Sequence, residues 1–128
     1  MSYFFAKTIN GTFEETIDKV TTILQGKGFG ILTEIDVKAT LKKKLDVDFQ
    51  SYTILGACNP PFAHKALQAE NKIGTMLPCN VVVQDVGNGQ VEVSAIDPAA
   101  SMQAVENPAL ADIAGEVRDM LRAVIDEL

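Results

Sequence analysis

Two apolar runs separated by a short turn constrain the fold of this chain more than any other feature of its sequence. The runs cover residues 79–85 and 91–97, both are rich in valine, and the segment Val-Gly-Asn-Gly-Gln joins them. Runs of β-branched residues on either side of an Asn-Gly step are typical of a β-hairpin. Because strands joined by a short turn run in opposite directions, the fold must contain antiparallel pairing.

The rest of the chain alternates between segments typical of strands and segments typical of helices. Further strands are predicted at residues 3–9, 29–35 and 50–58, from alternating or continuous apolar residues. Helices are predicted after Thr12, after Asp36, after Asn59 and from Pro108 onward, because apolar residues recur there at spacings of three and four. Residues 99–107 show no regular pattern. We therefore predict an α+β fold: a single sheet of about five strands, largely antiparallel, with helices mainly on one face and a long C-terminal helix.

Composition and charge exclude several classes of protein. With 128 residues, of which 47% are hydrophobic, the chain fits one domain over residues 1–128 with a full core. Its net charge of −6 argues against nucleic acid as a partner, because phosphate binding needs clustered Lys and Arg. We see neither a signal peptide nor an apolar run long enough to span a membrane. The expected location is the cytoplasm, where both cysteines would be free thiols.

Residues 52–83 hold most of the chemically unusual side chains. This stretch contains both cysteines, the only histidine and three of the five prolines. Cys58 directly precedes a predicted helix in which Asn59 is the N-cap and Pro60 the first residue. The partial positive charge at a helix N-terminus favours a reactive thiolate, and His64 follows about one turn further on. We therefore expect a functional site in this stretch.

A second Cys-Asn step, Cys79 and Asn80, opens the hairpin. The spacing between Cys58 and Cys79 matches neither a CxxC redox motif nor a recognised zinc motif. Two thiols and the imidazole would still supply three ligands of a tetrahedral metal site, with Asp97 as a candidate for the fourth. Buried cysteines also often act as small apolar residues of a core. The simplest role for Asn59 is to cap the helix, and the simplest role for Asn80 is to form hydrogen bonds at a strand edge.

Three other residues have more than one possible role. Gly56 lies inside a predicted strand, where the missing side chain allows another backbone or a ligand to approach closely. Met76 and Met102 are candidates for lining an apolar pocket or for binding a soft cofactor, or they fill gaps in the core.

Three segments of the sequence resemble a known family. They are residues 30–45, residues 52–67 with the core Leu-Gly-Ala-Cys-Asn-Pro, and residues 77–83, Leu-Pro-Cys-Asn-Val-Val-Val. Together they resemble the family catalogued as domain of unknown function 302, over nearly the whole chain. The resemblance implies a small bacterial or archaeal α+β protein with an antiparallel-type sheet, a homodimer without an established activity. It draws attention to Cys58, Asn59, Pro60, Pro78, Cys79 and Asn80.

Two hypotheses about function follow from these observations. The first is a cytoplasmic binding module that holds a small ligand or a metal near Cys58 and Cys79. The second is a thiol-dependent redox or sulfur-transfer enzyme, with Cys58 as nucleophile, His64 as proton acceptor and Cys79 as resolving thiol. Neither hypothesis identifies the ligand or the reaction.

A homodimer is also expected from the pattern of the central strands. The consecutive residues Val81, Val82 and Val83 must point to opposite faces of the sheet, so both faces need a cover. The helices of one chain cover mainly one face, and a second copy related by a two-fold axis is the commonest cover for the other. The alternative is that the short helices over residues 37–45 and 60–69 cover the second face within one chain.

Overall fold

One antiparallel sheet of five strands forms the frame of the molecule in the computed structural model, which describes residues 2–128. The strands are β1 (Phe4–Asn10), β2 (Gly30–Asp36), β3 (Tyr52–Cys58), β4 (Cys79–Gly87) and β5 (Gln90–Ile96). They lie side by side in the order β1-β5-β4-β3-β2, and each neighbouring pair is antiparallel. The predicted α+β fold is therefore confirmed, with antiparallel pairing throughout the sheet.

Five α-helices and one 3-10 turn accompany the strands within the described residues. They are α1 (Phe13–Gly26), α2 (Val37–Leu45), α3 (Pro60–Ala69), the 3-10 turn Ile73–Met76, α4 (Pro98–Ser101) and α5 (Pro108–Asp126). The long C-terminal helix is confirmed. The sequence gives no sign of α4, because a helix of four residues is too short to show apolar periodicity.

Polar side chains hold the ends of the two long helices. Thr12 Oγ1 accepts a hydrogen bond from the N–H of Glu15 at 3.1 Å, so α1 begins as predicted. At the end of α5, the Lys7 ammonium donates to the carbonyl of Leu128 at 2.6 Å. This contact ties β1 to α5. It is also favourable because it places a positive charge at a helix C-terminus.

The main core lies between the sheet and the helices α1 and α5. Val81 and Val83 point into it and are 0% exposed, whereas Val82 lies on the opposite face and is half-buried. The buried side chains of this core come from both layers: Val20, Leu24, Leu55, Val81, Val83, Val91, Val93, Leu121 and Val124. A smaller cluster continues the core toward α3 and α4: Ala66, Ile73, Met102, Leu110 and Ala114.

The opposite face of the sheet, which we call the open face, is only partly covered. A shallow concavity on it is lined by Tyr3, Phe4, Tyr52, Asn80, Val82, Gln84, Glu92, Ser94, Ala95 and Ile96. Helix α3 packs against α5 and therefore lies on the covered side. Helix α2 contacts β3 but buries none of its own residues. The Phe4 side chain is consequently 40% exposed on this face.

Two side chains approach Gly56 too closely for any larger residue to fit there without a shift. A Cβ atom at this position would lie 2.2 Å from Thr33 Oγ1 and 2.8 Å from Pro78 Cγ. Thr33 is the partner of Gly56 on β2, next to a bulge in that strand, and Pro78 directly precedes β4. Other groups do approach Gly56 closely, but they are two side chains of the protein and not the backbone or ligand expected from the sequence.

Candidate functional site

A pocket of about 330 Å³ opens where β3 ends and α3 begins. The sheet, α3 and α5 each contribute a wall, and the residues that line it are Phe29, Leu32, Ala57, Cys58, Asn59, Phe62, Ala63, Ala66, Leu67, Gly74, Leu77, Pro78, Cys79, Pro98, Met102, Leu110, Ile113, Ala114 and Val117. Its volume lies within the range typical of small-molecule sites. Among the described residues, no side chain in this lining is charged at pH 7, and Asn59 carries its only amide.

The pocket exists because small residues occupy positions where core side chains are usually large. Ala57 faces it from β3, Ala63 and Ala66 face it from α3, and Ala114 faces it from α5. Two of these, Ala66 and Ala114, belong to the smaller core cluster. Protein interiors are normally packed to a high density, so a space of this size between helices and sheet is a specific feature of the fold.

Three sulfur atoms lie in the pocket wall, on Cys58, Cys79 and Met102. Cys79 is opposite Ala57 in the pairing of β3 and β4, so the register places the two cysteines at adjacent positions on neighbouring strands. Both are free thiols, and Cys79 is buried whereas Cys58 is half-buried. Burial raises the pKa of the Cys79 thiol from 9.0 to about 11, and the nearby Cys58 adds a smaller contribution. Cys79 is therefore a neutral thiol at physiological pH.

The start of α3 carries few hydrogen-bond donors. Its first two residues are Pro60 and Pro61, and neither has a backbone N–H. Asn59 occupies the N-cap position, as predicted, but its side chain makes no capping hydrogen bond. Instead Asn59 Nδ2 donates to the carbonyl of Lys27 at 3.5 Å. The N–H groups through which a helix N-terminus usually binds an anion or stabilises a thiolate are thus largely missing here.

The structure brings together four of the eight residues singled out from the sequence as site candidates. Cys58, Asn59, Pro78 and Cys79 all line the pocket. The other four lie elsewhere. Pro60 and His64 are exposed residues of α3 outside the lining. Asn80 lies on the open face.

Asp97 has a structural contact of its own. Its carboxylate accepts hydrogen bonds from the backbone N–H groups of Ala99 and Ala100, at 3.0 and 3.3 Å, and so caps α4. Within residues 2–128, no three His, Cys, Asp or Glu side chains are grouped so that they could hold a metal ion. The tetrahedral set considered from the sequence is therefore not assembled in this structure.

The site predicted from the sequence did not include the apolar walls that α5 and the segment before β2 contribute to the pocket. Leu110, Ile113 and Val117 lie on the apolar face of α5, where a spacing of three and four predicts only core packing. No signal in the sequence marks them, since an alanine inside an apolar face, such as Ala114, is equally able to pack against a larger neighbour. Met102 does line the pocket, as one reading of the sequence suggested, whereas Met76 is not part of the lining.

The fold and the pocket together define a small α+β protein with a five-stranded antiparallel sheet and an apolar pocket between sheet and helices. The chain belongs to the family described as Domain of unknown function DUF302, whose family model matches residues 5–128. It is similar to a solved structure, the crystal structure of an uncharacterized conserved protein DUF302 from Bacillus stearothermophilus. The two chains are 29% identical, 98% of each is covered, and the TM-score is 0.90. No curated protein matches the chain.

The helices offer no candidate for a membrane span. None of the helices in residues 2–128 combines the length and the apolar character needed to cross a bilayer.

Proposed function

We propose that this protein is a binding module that holds a small apolar ligand in the pocket between β3, α3 and α5. The observation that carries the proposal is the pocket itself, about 330 Å³ in volume and lined almost entirely by apolar groups. Without a ligand these apolar walls face water, which is unfavourable. A ligand would remove them from water, and Cys58, Asn59 and Cys79 would lie against it. We place the protein in the cytoplasm, where both thiols stay reduced.

Metal binding has less support than binding of an organic ligand. Among the described residues, the lining offers a soft metal only the two thiols and the thioether of Met102, and His64 and Asp97 lie outside it. A soft metal held by two thiolates would also require ionisation of Cys79, whose pKa is raised to about 11 by burial.

The thiol-dependent enzyme is the second candidate function. The adjacent positions of Cys58 and Cys79 favour it. The neutral, buried Cys79 and the exposed His64, which does not line the pocket, count against it. We therefore place ligand binding first.

Filling the pocket tests the proposal. In wild type, naphthalene at tenfold its dissociation constant is expected to stabilise the fold by about 1.4 kcal/mol, because it binds only the folded state. The variant Ala114→Leu places a larger side chain in the pocket and is expected to weaken naphthalene binding at least about tenfold. Thermal unfolding with and without naphthalene measures both effects.

A matched variant on the same helix controls for the change in side chain. Ala111 is an exposed residue of α5 outside the lining, so Ala111→Leu should leave the response to naphthalene unchanged. If Ala114→Leu does not fold, Ala63→Leu on α3 fills the same pocket from another wall. A wild-type protein whose melting temperature does not respond to naphthalene would overturn the proposed function.

We also propose that the binding module is a homodimer that pairs through the open face. Support comes from three apolar side chains on the open face, Phe4, Val82 and Ile96. No helix within residues 2–128 covers them fully. A stable interface of this kind buries more than about 1,000 Å² in total. Pairing of the two open faces would cover these side chains, while the pocket lies on the other side of the sheet.

Substitution on the open face tests the dimer. Wild type at micromolar concentration should show twice the 13.8 kDa mass of the chain in light scattering. Val82→Lys places a charge at the centre of the open face and is expected to give the mass of one chain. Thr22→Lys, on an exposed position of α1, is the control and should keep the dimer mass. A single-chain mass for wild type at every concentration would show that the open face does not pair.

A further inference from the structure

We propose that the pocket selects an uncharged ligand about the size of two fused rings, with one hydrogen-bond donor that reaches Asn59. This inference rests on the proposed function and adds the chemical class of the ligand. Four features of the pocket support it: the charge of its lining, the donors at the start of α3, the orientation of Asn59 and the volume.

The lining offers no partner for an ionised group. In the part of the chain that the structure describes, the pocket is lined without a Lys, Arg, His, Asp or Glu side chain. An ionised group moved from water into such surroundings loses its hydration and gains no ion pair in return. A carboxylate, a phosphate or an ammonium group inside the pocket is therefore strongly disfavoured relative to a neutral group of the same shape.

The start of α3 cannot replace the missing cations for an anionic ligand. Helix N-termini bind anions through their free backbone N–H groups. At this helix the first two such groups are absent, because Pro60 and Pro61 have none. The N–H of Ala63 already donates to the carbonyl of Asn59 at 2.9 Å. Only Phe62 keeps an uncommitted N–H in the first turn, which is too little to hold an anion.

The amide of Asn59 provides one directional polar contact in the lining. Its Nδ2 donates to the carbonyl of Lys27 at 3.5 Å, which leaves Oδ1 as the acceptor atom of this amide. That oxygen is not used to cap α3. An acceptor in an apolar pocket is best matched by a ligand that donates, such as a hydroxyl group.

The volume limits the apolar body of the ligand. An apolar cavity of about 150 Å³ is known to hold one benzene ring. The pocket here measures about 330 Å³, roughly twice that value, so it matches a body of two fused rings or an aliphatic group of the same size. Naphthalene and its substituted forms are therefore suitable probes.

Three naphthalene compounds test charge and hydrogen bonding separately. The dissociation constants of naphthalene, 2-naphthol and 2-naphthoate are measured at pH 7, where 2-naphthol is neutral and 2-naphthoate is an anion. We expect 2-naphthol to bind about three- to tenfold more tightly than naphthalene, the usual contribution of one hydrogen bond. We expect 2-naphthoate to bind at least about tenfold more weakly than naphthalene.

The variant Asn59→Ala assigns the hydrogen bond to its residue. It should bring the ratio of the naphthalene and 2-naphthol dissociation constants close to one, whatever its effect on naphthalene alone, whereas Asn71→Ala, at an exposed position outside the lining, should keep the wild-type ratio. A 2-naphthol preference that survives in Asn59→Ala would overturn the role of Asn59. Binding of 2-naphthoate as tight as that of naphthalene would overturn the selection for neutral ligands, and the pocket would still be a ligand site. Failure of naphthalene itself to bind would overturn the proposed function as well.

Discussion

Replacing Gly56 with valine is expected to lower the free energy of unfolding by about 3 kcal/mol or more. The first added carbon alone would lie 2.2 Å from Thr33 Oγ1 and 2.8 Å from Pro78 Cγ, well inside contact distance. The Thr33 hydroxyl can rotate away, but the rigid ring of Pro78 directly precedes β4 and cannot move without disturbing that strand. Chemical denaturation of wild type and variant measures the loss.

Gly30 is the matched control, because it is also a strand glycine. A Cβ atom at Gly30 would meet nothing within 4 Å, so Gly30→Val should change stability by less than about 0.5 kcal/mol. The effects of Thr33→Ala and Gly56→Ala on the free energy of unfolding should also be non-additive. The reason is that Thr33→Ala removes the oxygen with which the new side chain of Gly56→Ala would clash. Equal effects of the two glycine substitutions would show that the approach of Thr33 and Pro78 is not what requires glycine at position 56.

The clash at Gly56 also connects stability to the pocket. Pro78 contacts the Gly56 position on one side and lines the pocket on the other, next to Cys79. A side chain at position 56 that displaces Pro78 would therefore move a wall of the site. We accordingly expect that milder variants such as Gly56→Ala, where they fold, bind naphthalene less tightly than wild type.

Local patterns in the sequence were sufficient to predict most of the fold. The Asn-Gly step after β4 predicts the hairpin, and apolar spacing predicts α1 and α5, because each of these signals depends only on residues close together in the chain. The order of the strands was not predicted. The positions of β1 beside β5 and of β2 at the other edge depend on contacts between distant residues such as Phe4 and Ile96.

The lining of the candidate pocket was anticipated from the sequence only where its residues are chemically conspicuous. Cys58, Asn59 and Cys79 attract notice as residue types, and they do line the pocket. The larger part of the pocket consists of alanines and ordinary apolar residues, such as Ala114 and Leu110. Nothing in a single sequence distinguishes an alanine that leaves a space from one that packs against a large neighbour, since the difference lies in the distance between α3, α5 and the sheet.

Cys58 and Cys79 are expected to react with iodoacetamide at very different rates in the folded protein. Cys79 is 8% exposed, and burial raises the pKa of its thiol to about 11. Because only the thiolate reacts, this shift leaves Cys79 with about 100-fold less reactive thiolate at pH 8 than it would have at its ordinary pKa of 9.0. Cys58 is half-buried in the pocket wall and should be labelled first, with Cys79 slower by at least about 100-fold. Mass spectrometry of peptides from protein labelled for increasing times gives both rates.

The pH dependence of labelling separates the effect of ionisation from the effect of access. A raised pKa means that the Cys79 thiol stays protonated as pH rises through 9.0, so its rate should keep increasing toward about pH 11. A rate that levels off near pH 9 would contradict the raised pKa, and the slow reaction would then reflect burial alone.

The rate of Cys58 at pH 7 tests the enzyme hypothesis. The prolines at the start of α3 leave too few N–H donors to stabilise a thiolate, so we expect Cys58 to react no faster than N-acetylcysteine. A much faster reaction at Cys58 would favour thiol chemistry over ligand binding.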